Sequence, residues 1–252
     1  MNNKEKAAAV NDAVMKTDFA AIETLVIEDY VQHTPAVADK KKGLLGLLTK
    51  IKNKEIPAPQ IRNVRTFEDG DFVVLHHDVN WPGRKAMFEI FRFEKGLAAE
   101  HWSGIADQPE KTANGHTMID GPTEIKEKNR TAENKALVRS FVETILIGGE
   151  FNKILDFYHP EIIQHNPYID NSVKGLISGI QELQKQGMTL EIQKIHHVLG
   201  EGNFVLVLSE GKFAGKRTAF FDLFRTENGT IVEHWDVIQE VPEKMAHTNG
   251  MF

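Results

Sequence analysis

Two acidic residues and one histidine stand close together in the last strand-like stretches of the sequence. Asp222 lies in FFDLF, and His234 and Asp236 lie in EHWDV. An acid among apolar residues must be hydrogen-bonded, charge-paired or placed in a cavity. Partial burial raises the pKa of a carboxylate toward neutral pH, where it serves as a general base or acid. We therefore predict acid–base chemistry at Asp236, oriented by His234 and Asp222; the alternative is an Asp236 that caps a strand end or bonds a helix.

These residues belong to the second copy of an internal repeat. The 15 residues that begin at Gln32 and the 15 that begin at Gln164 share six identities, including Gln-His-x-Pro. The 17 residues that begin at Ala86 and at Ala219 share nine, and both stretches end in Glu-His-Trp. Two matching blocks in one order and at nearly one spacing indicate homologous domains. We predict a first repeat over 1–109, a linker over 110–129 and a second repeat over 130–252.

Each repeat runs from helices into strands. Helical spacing of apolar residues, followed by Val-, Ile- and Phe-rich runs between turn residues, is typical of this order. Helices followed by a strand meander indicate an α+β domain with helices on one face of an antiparallel sheet. The predicted strands are 60–67, 72–79, 85–93 and 97–106 in the first repeat, and 189–198, 204–210, 217–226 and 230–239 in the second.

The last hairpin decides which side chains share a sheet face. A two-residue turn in the first repeat would give Lys95 a positive φ, which a non-glycine residue resists. We therefore predict a three-residue loop in both repeats, with Gly96 and Gly229 in the left-handed position. That register pairs Asp222 with His234.

In the same register Phe220 pairs with Asp236, and Glu89 pairs with His101 in the first repeat. Directly paired residues project to the same face. Asp222, His234 and Asp236 are thus expected on one face, and Trp235 on the other, where packing is its simplest role. Phe220, Glu89 and His101 join the candidate ligand-binding residues.

Two further histidines are ligand-binding candidates because of their place in the repeat. His33 stands in QHTP and His165 in QHNP, where the proline fixes the following turn. Each ring either bonds the backbone at the turn or offers a polar tip to a pocket. The pairs His76-His77 and His196-His197 do not align between repeats, and adjacent residues of a strand point to opposite faces, so we predict no metal site.

Composition narrows the function classes. The formal net charge is −6, which gives no reason to expect nucleic acid or an anionic membrane as partner. Cysteine is absent, which excludes disulfides and thiolate sites and fits a reducing compartment. The first residues lack an apolar core of signal-peptide length, so we expect a cytoplasmic protein.

The order of helices, QHNP turn, helix and strand meander, ending in RTENGTIVEHWDVIQ, resembles the SnoaL-like polyketide cyclases of the nuclear transport factor 2-like (NTF2-like) superfamily. The resemblance implies two tandem cone-shaped α+β barrel domains, each a curved antiparallel sheet wrapped by helices around a pocket. Such cyclases close a ring by an aldol step without metal or cofactor, and a pocket Asp of the last strand, matched here by Asp236, acts as acid and base. Relatives pair through outer sheet faces, which implies an intrachain pseudo-dimer and leaves a homo-oligomer open.

The first repeat departs from the family pattern because Ser103 stands where the second repeat has Asp236. We therefore expect the second repeat to be the active copy. One reading is a cofactor-free aldol-condensation, cyclase or isomerase enzyme acting on a small carbonyl compound in an apolar pocket. The alternative is a non-catalytic module that binds a small hydrophobic ligand. Epoxide hydrolysis is a third, weaker reading, since Arg225 should face away from Asp222.

Overall fold

The computed structural model describes residues 1–252 and forms two compact units. The first unit comprises Met1–Asp107 together with Val241–Phe252, and the second comprises Gln108–Glu240. The predicted bounds 1–109, 110–129 and 130–252 divide the sequence by its repeat. The contacts instead group the linker with the second repeat, and the last twelve residues of the chain with the first.

The first unit has three helices and a five-stranded sheet of order β1-β5-β4-β3-β2. The helices are α1 (Asn3–Lys16), α2 (Phe19–Leu25) and α3 (Lys40–Lys52). The strands are β1 (Val26–Gln32), β2 (Gln60–Asp69), β3 (Phe72–Asn80), β4 (Arg84–Glu94) and β5 (Leu97–Asp107).

The second unit repeats this plan, with sheet order β6-β10-β9-β8-β7. Its helices are α4 (Thr131–Phe141), which continues as a π-helical stretch Val142–Ile147, and α5 (Ser172–Lys185); short 3-10 helices span Lys128–Arg130 and Phe151–Asp156. Its strands are β6 (Tyr158–Gln164), β7 (Leu190–Glu201), β8 (Phe204–Phe213), β9 (Lys216–Glu227) and β10 (Thr230–Glu240). The prediction of two tandem α+β domains is confirmed.

One strand in each sheet was not predicted from the sequence. β1 and β6 pair in parallel with β5 and β10, so the four-strand meander has a fifth strand on its last edge. In the second unit, Gln164 lies beside His234. This short strand brings the QHNP turn next to the residues predicted to do chemistry.

The predicted hairpin register is wrong, because both last hairpins turn through two residues. Asn228 and Gly229 have φ of 52° and 81°, and Lys95 and Gly96 have φ of 50° and 78°. Lys95 thus adopts the left-handed conformation that was predicted to be unfavourable. A type I′ hairpin turn requires this conformation at both of its central residues.

A β-bulge next to the turn shifts the register again. The pairing skips Val232 between Ile231 and Glu233. Asp222 therefore pairs with Asp236 rather than with His234. In the first unit, Glu89 likewise pairs with Ser103, not with His101. The turn and the bulge each shift the pairing by one residue, so the total shift is two residues. An even shift leaves every side chain on its predicted face, and Asp222, His234 and Asp236 share one face as predicted.

Apolar side chains cover both faces of the second sheet. Phe141, Ile162, Val205, Val207 and Phe224 belong to a buried cluster on the side that faces the helices. On the other side, Phe221, Leu223, Trp235 and Val237 are all fully buried. No helix of either unit has the length and apolar character that a membrane crossing demands.

Candidate active site

The candidate site lies where β9 and β10 pair on the helix-facing side of the second sheet. Asp222 of β9 is directly opposite Asp236 of β10, and His234 is one pair further along, opposite Phe224. Both acids are buried, with exposed fractions of 8% and 6%. Phe220 projects to the same side, opposite Ile238.

His234 links the site to β6. Its Nε2 lies 3.0 Å from Oδ1 of Asp222, and its Nδ1 lies 2.9 Å from Oε1 of Gln164. Both ring nitrogens therefore face oxygen acceptors, an arrangement that suits the doubly protonated ring. Burial opposes the charge, but the hydrogen bond of Asp222 and the negative charges of Asp236 and Asp222 raise the pKa of His234.

Asp236 is held differently from Asp222. Its Oδ2 accepts a hydrogen bond of 2.6 Å from Nδ2 of Asn166. Burial raises the pKa of Asp236 to about 6; the charge of Asp222 adds to this, while His234 and the Asn166 hydrogen bond oppose it. The carboxyl group thus changes its protonation state near neutral pH, as a general base or acid requires.

The QHNP turn supplies two residues that the sequence analysis missed, Gln164 and Asn166. Oδ1 of Asn166 accepts from the backbone N–H of Tyr168, which leaves its Nδ2 for Asp236. Nδ2 of Asn114 donates to the backbone oxygen of Asn166 over 2.6 Å and braces the turn. The repeated motif drew attention to His165, but the residues on either side of it, Gln164 and Asn166, contact the site.

The histidines of the two turns lie among residues of the opposite sheet face. Nε2 of His165 lies 2.8 Å from Oε1 of Glu233, and its ring stacks on Trp235 at 4.5 Å. His33 makes the equivalent contacts with Glu100, at 2.9 Å, and with Trp102, at 4.8 Å. His165 acts on Asp236 through its charge, which lowers the pKa of Asp236, while its contacts with Glu233 and Trp235 favour an anchoring role.

The first unit holds a different polar cluster at the equivalent place. Glu89 is buried and contacts Nε2 of His77 at 2.9 Å, Nε2 of His101 at 3.2 Å and Nδ2 of Asn11 at 2.5 Å. Burial opposes the charge, but these hydrogen bonds hold the pKa of Glu89 well below its usual range. Glu89 and His101 are thus in contact although they do not pair directly, and their ligand-binding role stays a prediction.

The two repeats differ at Ser103 and also at the residue of the turn that contacts it. Oγ of Ser103 lies 2.6 Å from Oγ1 of Thr34. In the repeat alignment Thr34 stands where the second repeat has Asn166, and Ser103 where it has Asp236. One hydrogen-bonded pair therefore replaces the other as a unit.

The candidate site is mostly buried in this structure, and the side chain of His234 keeps an exposed fraction of 12%. One cavity of the second unit is lined by Asn203, Arg225, Thr226 and neighbouring residues, and one of the first unit by Met15, Ile61, Val79 and others. Neither is lined by Asp222, His234 or Asp236. These three offer ligand atoms within 4.8 Å of one another, a spacing that a divalent cation could also bridge.

The sequence matches the SnoaL-like domain family twice, over residues 7–101 and 138–234. No curated protein matches the chain significantly. Among solved structures, IdmH from Streptomyces antibioticus, a candidate polyketide cyclase, is 18% identical over 40% of this chain and 89% of its own, with a TM-score of 0.35. An NTF2-like protein of unknown function from Cytophaga hutchinsonii is 16% identical over 42% and 92%, with a TM-score of 0.36.

A candidate polyketide cyclase from Bacillus cereus is 16% identical over 40% of this chain and 71% of its own, with a TM-score of 0.36. The two family matches cover most of the sequence, and each falls within one predicted repeat. The chain therefore belongs to the SnoaL-like family and carries two SnoaL-like domains in tandem, as the sequence resemblance implied.

Proposed function

We propose that the second SnoaL-like domain is a cofactor-independent acid–base enzyme that acts on a small carbonyl compound, by aldol condensation, cyclisation or isomerisation. The observation that carries this proposal is Asp236, a buried carboxyl group whose pKa is raised to about 6. It stands beside an imidazole that Asp222 holds at 3.0 Å. Two carboxylates in environments that separate their roles are a common basis of acid–base catalysis.

In this scheme Asp236 removes a proton from the carbon next to a carbonyl group. The electron pair of that C–H bond forms an enolate, whose negative charge the positive His234 stabilises. The enolate carbon attacks a second carbonyl carbon, and the resulting alkoxide takes the proton from Asp236. Asp222 and Asn166 position His234 and Asp236, and no proton is gained or lost overall.

Phe220 supplies an apolar wall on the same sheet face as Asp236. The ligand roles predicted for Glu89 and His101 concern the first domain, where Ser103 stands in place of a second carboxyl group. His33 and His165 enter the scheme only as supports of the two turns. Pairing of the domains through their outer sheet faces stays a prediction.

Because Asp222 and Asp236 are mostly buried, we propose that a substrate reaches Asp236 by movement of a neighbouring element, for which α5 is best suited. It buries only Val173 fully, whereas the equivalent α3 buries five residues, among them Leu44, Leu48 and Ile51. An element with few buried contacts opens at a lower free energy than its surroundings. We propose that the substrate reaches the second domain past α5, and that the first domain stays closed.

The test is conversion of a panel of small 1,3-dicarbonyl compounds, followed by NMR. Asp236→Asn should lower the rate at least ~100-fold, the usual contribution of a general base. Asp156→Asn, an exposed acid of the same domain, should leave the rate unchanged. Equal rates for the wild type and Asp236→Asn would overturn the proposal.

Ser103 favours a second candidate function, a non-catalytic module for a small hydrophobic ligand, since one copy already lacks the carboxyl group. Saturable ligand binding without conversion, unaffected by Asp236→Asn, would support it. For either function we propose a cytoplasmic location, because a chain without cysteine suits a reducing compartment.

A further inference from the structure

A second cluster in the second domain has the donors of a metal site and contains none of the proposed catalytic groups. His116, Asp120 and His165 each offer a ligand atom, and these atoms all lie within 4.8 Å of one another. Nδ1 of His165 lies 2.7 Å from Oδ1 of Asp120, and Nδ1 of His116 lies 3.8 Å from Oδ2 of Asp120. Of these three residues, only His165 was predicted from the sequence to bind a ligand.

His165 has oxygen atoms on both sides of its ring. Nε2 faces Glu233, while Nδ1 faces both the carboxylate of Asp120 and, at 2.9 Å, the backbone oxygen of Thr117. A neutral imidazole has a single N–H and cannot donate in both directions. When the N–H at Nε2 bonds Glu233, the lone pair of Nδ1 points at these oxygen atoms, and a metal ion would satisfy that arrangement.

The surroundings of His165 match those of a metal-bound histidine. Such a residue almost always donates its other N–H to a carboxylate or a backbone oxygen, which fixes the ring. Here Glu233 takes that role, is itself 1% exposed, and accepts a 2.6 Å hydrogen bond from Nε of Arg225. Trp235 stacks on the ring and donates from Nε1 to the backbone oxygen of Asp120.

We propose that His116, Asp120 and His165 bind one divalent transition-metal ion, for which zinc is the best fit to two imidazoles and one carboxylate. Ligands at tetrahedral positions around zinc stand roughly 3.4 Å apart, given bonds of about 2.0–2.1 Å. The observed separations bracket that value. His116 and Asp120 have side chains 35% and 43% exposed, so they can adjust around the fixed ring of His165.

The first domain supplies an internal comparison. His33 has the same partners as His165 on one side, with Glu100 bonded to its Nε2 and Trp102 stacked on its ring. Its Nδ1 faces the backbone oxygen of Gly250 at 3.0 Å, and His33 belongs to no group of three metal-ligating side chains. Only the second domain therefore has a complete donor set.

The metal site would fasten the segment from His116 to Asp120 onto the QHNP turn. His165 is followed directly by Asn166, which holds Asp236. The ion is thus assigned a structural role that adds stability to the second domain. Binding to the folded state alone raises the unfolding temperature.

The test uses the full chain after treatment with a chelator. Titration with Zn²⁺, and with Co²⁺ for its visible absorption, should show one ion per chain and a raised unfolding midpoint. His116→Ala and Asp120→Asn should each weaken binding at least tenfold and abolish the rise in midpoint. His247→Ala, which changes a half-buried histidine of the first domain, should do neither.

Asp236→Asn should also bind the ion normally, because the other candidate donor set, at Asp222, His234 and Asp236, is a separate cluster. Circular dichroism verifies that each variant is folded. Absence of binding, or binding unchanged in both His116→Ala and Asp120→Asn, would overturn the proposal. So would binding that is lost in Asp236→Asn and kept in His116→Ala.

Discussion

Asp222 and Asp236 face each other directly across β9 and β10, yet they are held by different partners. Asp222 bonds His234, whereas Asp236 accepts a single hydrogen bond from Asn166. Asp222 thereby raises the pKa of the imidazole next to Asp236, and burial raises the pKa of Asp236 itself to about 6. Asp222 can therefore position His234 while Asp236 transfers protons.

The raised pKa of Asp236 predicts a pH-dependent stability. Because the folded value lies above the unfolded value of about 4, the native state binds more protons between these two pH values. The free energy of unfolding therefore falls as pH rises through that window. Since one pKa unit corresponds to about 1.36 kcal/mol, the fall amounts to about 3 kcal/mol at most.

Asp236→Asn should abolish this loss. Urea unfolding of the variant and the wild type is expected to show little difference at pH 4 and a gain for the variant at pH 8. The exposed acid Asp156 offers the control, since Asp156→Asn should show no such trend. A stability difference that is equal at both pH values would contradict the burial of an ionisable Asp236.

Asp222 is predicted to control the titration of His234. Asp222→Asn removes a charge that raises the pKa of His234 and alters the hydrogen bond that does the same, so this pKa should fall. NMR spectra of the imidazole nitrogens as a function of pH would follow His234. Glu210→Gln, which changes the separate pair of Glu210 and His196, should leave His234 unchanged. An unaltered or higher pKa of His234 in Asp222→Asn would exclude this coupling.

The matched pairs Thr34–Ser103 and Asn166–Asp236 predict a favourable coupling in the first domain. Ser103→Asp alone buries a carboxylate opposite Glu89 and should cost several kcal/mol. Adding Thr34→Asn supplies an amide donor in the position of Asn166 and should recover ~1–2 kcal/mol. Chemical denaturation of both single variants and the double variant measures this. A double variant no more stable than Ser103→Asp would show that the two positions are independent.

Much of the fold followed from the sequence, because apolar alternation and turn residues mark the strands of each meander. β1 and β6 were missed because each is short and directly follows a helix. The regrouping of residues 241–252 with the first unit depends on long-range contacts such as that of Gly250 with His33. No local pattern encodes such contacts.

The candidate site was predicted for a reason that was partly wrong. The loop size and the bulge at Val232 were both missed, and each error shifted the register by one residue. Face identity depends only on whether the shift is odd or even, so Asp222, His234 and Asp236 still share a face. Asn166 and Gln164 could not be assigned without β6, which carries the turn to β10.

The left-handed Lys95 gives a direct check on the corrected turn. Its φ is 50°, and asparagine tolerates this region better than lysine does. Lys95→Asn should therefore stabilise the protein by roughly 0.5 kcal/mol, and Asn228→Lys in the other hairpin should destabilise it by a similar amount. Thermal unfolding compares the two variants. Destabilisation by Lys95→Asn would favour the three-residue loop after all.

The most direct test of the central claim is the pKa of Asp236 itself. The protein can be labelled with ¹³C at aspartate carboxyl carbons, and Asp236→Asn identifies the signal that belongs to residue 236. Its chemical shift, followed from pH 3 to pH 9, should report a midpoint of about 6. A midpoint near 4, the value of an exposed aspartate, would mean that Asp236 is fully ionised at neutral pH and would contradict its role as a buried acid–base group.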